Sequence, residues 1–93
     1  MRFITFIKSL PKQQDKEVQD FINWVKKNPK FPQSSDPRLL GMYLSNKLND
    51  SMKMGYMKTM MVYKHQTDNS LPKDLKDSNK FLDALNTVVN FKM

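Results

Sequence analysis

Apolar residues recur along this chain at the spacing of a helix face and nowhere at the spacing of a strand. Phe3, Phe6, Ile7 and Leu10 fall at i, i+3, i+4 and i+7, and Val18, Phe21, Ile22 and Val25 repeat the pattern. Leu40, Tyr43 and Leu44 form a shorter stripe, and Phe81, Leu82, Leu85, Val88 and Val89 a longer one near the end. At 100° per residue each set gathers on one side of a helix. No run alternates apolar and polar over a useful length, and two glycines leave little room for hairpins. The class is therefore all-α. Ninety-three residues make one domain with one modest core.

The punctuation agrees with the periodicity. Pro11 stops the first helix. Asp15 opens the second, with Glu17 and Asp20 favouring its positive end, and Asn28-Pro29 closes it. Phe31-Pro32 reads as a rigid loop. Asp36-Pro37 reads as an N-cap followed by proline at the first helical position, where its missing N–H costs nothing. The third helix is expected from Pro37 to about Leu48, and Phe31, Tyr43 and Leu44 are expected to anchor the core. Gly41 inside it costs about 1 kcal/mol against alanine, which points to a neighbouring helix packed close against it.

Asn49-Asp50-Ser51 is a break and a new cap, and a fourth helix is expected from about Met52 to Lys64. It is apolar on two sides. Tyr56, Met60 and Tyr63 share one, and Met54, Met57 and Met61 the other. A helix of that kind is buried twice or keeps one side for a partner. Residues 1–65 are thus expected to form a helical core, 66–76 a linker of turn chemistry, and 77–93 a last helix. Met54, Met57 and Met61 are predicted to cover Phe81, Leu85 and Val88 of that last helix. The alternative is that the last helix packs on a second copy, leaving a partner interface.

Catalytic chemistry finds little material here. His65 is the only histidine and there is no cysteine, so thiol nucleophiles, disulfides and His- or Cys-built metal sites are excluded. Two glycines cannot make a phosphate-cradling loop. Asp74 and Asp77 alternate with Lys73 and Lys76, a self-neutralising pattern rather than an acid pair. A non-enzymatic protein is expected, with no cofactor and no small-molecule substrate. No apolar run approaches the roughly 20 residues that span a bilayer. The N-terminus lacks the long apolar stretch and cleavage site of a signal peptide, so a cytoplasmic protein without membrane partners is expected.

The charge is uneven. Of the net +7, residues 1–25 supply +1, residues 26–64 supply +6 and residues 65–93 none. The cations of the middle are Lys26, Lys27, Lys30, Arg38, Lys47, Lys53, Lys58 and Lys64. Lysines attract phosphate with little base specificity, so these eight are the candidate nucleic-acid contacts. A basic DNA-associated accessory protein is the first expectation, and a protein-interaction or self-association module the second.

The core spacing resembles that of the small YozE-like proteins of Gram-positive bacteria. Phe3 and Phe6 match their aromatic first helix. Val18, Phe21 and Phe31-Pro32 match the middle spacing, Ser35-Asp36 the helix start, Tyr43-Leu44 the following pair, and Tyr56 and Tyr63 the last aromatics. The resemblance covers residues 1 to about 65, with a loop one residue shorter. It implies a compact sterile-alpha-motif-like (SAM-like) core of four short helices, no known enzymatic activity and an undefined role. This chain is more basic than the family pattern and adds a linker and a fifth helix.

Overall fold

A computed structural model of the chain describes residues 2–28 and 37–91. These form five helices in the order α1 (Phe3–Ser9), α2 (Lys16–Lys27), α3 (Pro37–Leu44), α4 (Asp50–Thr67) and α5 (Ser78–Phe91), and no strand occurs among the described residues. The protein is all-α. The Phe-Pro loop, the Asp36 cap, Phe31 and Lys30 lie outside the described residues.

The expected stripes supply the core. Phe3, Phe6, Ile7 and Leu10 are buried, as are Val18, Phe21, Ile22 and Val25. On α3, Leu40 and Leu44 are buried and Tyr43 is half-buried against them. The centre is aromatic. Phe21 and Phe3 stack with ring centroids 6.4 Å apart, and Tyr56 meets both edge-on at 5.7 and 6.1 Å. Tyr63 approaches Phe3 and Phe6 at 5.2 and 5.4 Å. Offset and edge-on arrangements of this kind add about 0.5–1.5 kcal/mol per pair beyond burial. So the Tyr56–Met60–Tyr63 side of α4 is its inner side.

α4 is the axis of the molecule, packing against α1, α2 and α5. Asn49 caps it, its side-chain oxygen accepting from the Met52 amide at 2.8 Å. The helix runs past the expected Lys64 to Thr67. It stops where Asn69 adopts a φ of 62°, a left-handed conformation that asparagine tolerates. The Ser70 amide then donates to the His65 carbonyl and the Asn69 amide to the Gln66 carbonyl, which closes the helix in a Schellman turn. Gln66 and Thr67 are therefore helix, not linker. α3 is shorter than expected, giving way after Leu44 to a turn at 45–47. Ser45 and Asn46 are weak helix formers, and the Ser45 hydroxyl donates to the Met42 carbonyl at 3.0 Å.

The segment between α4 and α5 is tied down. Gln66 is buried and donates from Nε2 to the Lys73 carbonyl at 2.6 Å, and Leu75 enters the core. α5 packs on α4, burying Phe81, Ala84, Leu85 and Val88. Two expectations about this contact are corrected. Met54 and Met57 are 43% and 53% exposed, so they do not cover α5, and Met61 is only half-buried. Val89 is exposed, because with Leu82 it lies seven residues apart on the edge of the stripe, while Ala84 takes its place inside.

Candidate nucleic-acid interface

Three contacts set how α2 lies on α4. Near the middle of α4, Gly55 meets the Glu17 backbone and Phe21. Nearly one turn further on, the Lys58 ammonium pairs with Glu17 at 2.7 Å and Asp15 at 3.0 Å. At the start of α4, Asn49 and Met52 share a surface hollow with Asp20, Asn23, Trp24 and Lys27. Positions on α4 rise as those on α2 fall, so the two helices are antiparallel.

That arrangement sorts the eight cations. Lys26 and Lys27 sit in the last turn of α2, beside the first turn of α4. Lys47 precedes the Asn49 cap by two residues, and Lys53 follows Met52 directly. The backbone positions of these four belong to one end of the α2–α4 pair, with Lys27 lining its hollow and Lys53 turned to the α3 side. Lys26, Lys27 and Lys47 are exposed and Lys53 is half-buried. Lys47 also lies over the Tyr43 ring, 5.5 Å from its centroid, which fixes the side chain without removing its charge. Asp20 and Asp50 are the carboxylates of this end.

Of the other four, the three that are described lie elsewhere. Lys58 is engaged between two carboxylates, with side chains only 21–36% exposed. The hydrogen bond to Glu17 raises its pKa, burial opposes this, and Asp15 adds to the rise. Asp15 shows the reverse balance. Burial pushes its carboxyl up, but Lys58 and the Val18 and Glu17 amides together hold it below its ordinary value. Lys64 lies eleven residues beyond Lys53, about 16 Å along α4. Arg38 is in the first turn of α3, at the opposite end of that helix from Lys47. Lys30 lies outside the described residues.

Trp24, Asn23 and Asn49 were not among the sequence candidates, yet they line the hollow beside Lys27. The available signal was Trp24 flanking the α2 stripe rather than lying in it. The hollow is about 310 Å³ and walled by a half-buried indole, two amides, the Met52 side chain, the Lys27 ammonium and the Asp20 carboxylate. An indole face stacks with any base, and lysines track a phosphate backbone. α4 also directs its N-terminal end here, where the helix dipole favours negative charge. Among the described residues no group of His, Cys, Asp or Glu could hold a metal ion, and no helix is long and apolar enough to cross a membrane.

Comparison of the chain with protein-family models, curated proteins and solved structures finds no match.

Proposed function

We propose that this chain is a non-enzymatic helical binding module that associates with nucleic acid through the end of the α2–α4 pair. The observation that carries the reading is the hollow where Lys27 and Trp24 of α2 meet Asn49 and Met52 of α4, with Lys26, Lys47 and Lys53 close in sequence to its lining residues. The charge of residues 26–64 supports it, as does the resemblance of residues 1–65 to YozE-like proteins, which carry no known enzymatic activity. On this reading the first four helices are a SAM-like core, α5 is an addition, and the protein works in the bacterial cytoplasm.

Four lysines neutralising three to four phosphates give a salt slope of about −3, since each phosphate contributes about −0.9. Fluorescence anisotropy with a labelled duplex measures it. Converting Lys26 and Lys27 to glutamine should weaken binding about tenfold at 100 mM salt and flatten the slope by about 2. Lys64→Gln should leave both unchanged. Absence of binding at about 50 mM salt, or an equal loss on Lys64→Gln, overturns the proposal.

A further inference from the structure

On the other flank of α4 lies an open apolar groove of about 250 Å³. Gly41, Leu44, Ser45 and Leu48 line it from the α3 side, and Lys53, Tyr56 and Met57 from α4. Among the described residues Gly41 does not have the close neighbour its position in a helix implies. A Cβ built on it meets none of them within 4 Å. Glycine here weakens the helix without relieving any contact among the described residues. What it does is keep the α3 wall of the groove low. Met57, 53% exposed, stands in the wall itself, and Met54 and Met42 are exposed nearby in sequence.

We propose that this α3–α4 groove receives the apolar face of an acidic amphipathic helix from another protein. Walls from two helices with an almost wholly apolar lining suit a helix laid between them, with one or two apolar anchors over Gly41 and the flexible Met57 closing on them. The volume is below the 300–1,000 Å³ typical of small-molecule pockets. Charge decides between partners. Lys53 lines the groove and Lys47 lies just past the end of α3, against Asp50 alone in the first turn of α4. A second copy would bring the same cationic patch face to face with itself, two chains of net +7 together. An acidic helix brings the opposite charge to the rim.

The test is an NMR titration of the full chain with a synthetic peptide of about 16 residues, with Leu at i, i+3, i+4 and i+7 and Glu on the flanks. Saturable shifts of the Gly41 amide and Met57 methyl are expected, with affinity at least about tenfold above that of the same peptide carrying Lys for Glu. Gly41→Leu fills open space, so it should fold, yet lose about tenfold in peptide affinity. Met57→Glu should lose as much. Any of four kinds of result overturns the proposal. One is a peptide that binds wrongly, giving no saturable shifts at these groups or binding equally well with Lys for Glu. Another is nuclear Overhauser contacts placing Phe31 in the groove. A third is a dimer in sedimentation that Met57→Glu dissociates. The fourth is a DNA duplex giving the same shifts at Gly41 and Met57.

Discussion

α4 has two flanks, and a glycine marks each in a different way. Towards α2 the contact is closed. Gly55 lets the Glu17 carbonyl and the Phe21 side chain come so near that a Cβ would run into the Glu17 oxygen, 2.7 Å from its carbonyl carbon and 2.9 Å from the Phe21 Cβ. Lys58 then locks the same face with two ion pairs. Towards α3, among the described residues, the contact is open and nothing lies within 4 Å of a Cβ at Gly41. The first glycine is required by the fold. The second costs the fold something and leaves a surface. Substituting both, and the ion pairs beside the first, tests whether that contrast is real.

Gly55→Ala carries the largest expected effect. The new methyl meets backbone, which cannot rotate away, so α2 must shift against α4 and disturb the Phe3–Phe21–Tyr56 stack. Overpacking of this kind costs about 3 kcal/mol, even after the gain in helix propensity. For a domain of this size that lowers Tm by about 15 °C. A thermal melt showing less than about 3 °C of change would mean that the α2–α4 contact is looser than the geometry says.

Lys58→Met comes next, at about 1.5 kcal/mol, because it breaks two partly buried pairs and leaves Asp15 and Glu17 facing each other. Its pH dependence is specific. The Asp15 pKa is lowered on folding, so its contribution is present above the ordinary 3.8 and lost as pH falls through the folded value. The Lys58 pKa is raised, so its contribution is full below the ordinary 10.5 and lost as pH rises through the folded value. The stability gap between wild type and Lys58→Met should therefore be flat near neutrality. It should close in acid below about pH 4 and in base above about pH 10.5. Urea unfolding across that range reads it directly.

The contrast between the flanks was only half legible in the sequence. The stripes on α1 and α2 were readable because their apolar residues all point one way, and burial followed the period. The two-sidedness of α4 was readable too, and Tyr56, Met60 and Tyr63 did turn inward. Which elements meet the second side was not, because periodicity ranks faces without naming neighbours. The methionines were assigned to α5, whose stripe is instead buried without Met54 and Met57. The glycines inverted for the same reason. A helix-interior glycine signals either close approach or tolerated weakness, and local sequence cannot separate the two. Gly41 drew the packing explanation that belongs to Gly55. Lys58 counted as a free cation, because its partners Asp15 and Glu17 lie more than forty residues away. Among the described cations, Lys27 alone lines the hollow that the antiparallel docking of α2 on α4 makes, while Lys53 faces the α3 side.

Gly41→Ala is the smallest perturbation and the one with the opposite sign. The methyl enters open space, so no overpacking opposes the gain in helix propensity. The backbone at 41 has no positive φ to forbid an alanine. The unfolded chain also loses freedom, which adds to the folded state's advantage. Together these should stabilise the domain by about 0.5–1 kcal/mol, a rise in Tm of about 4 °C. Gly55→Ala changes the same atoms in the same type of element, so the helix term cancels between the two variants. What remains is the packing of each flank, and the difference in stability should reach about 4 kcal/mol. A loss of stability in Gly41→Ala would place a neighbour against α3 and close the groove. A gain would show that the glycine is kept at the expense of the fold, which is what a surface held open for another molecule requires.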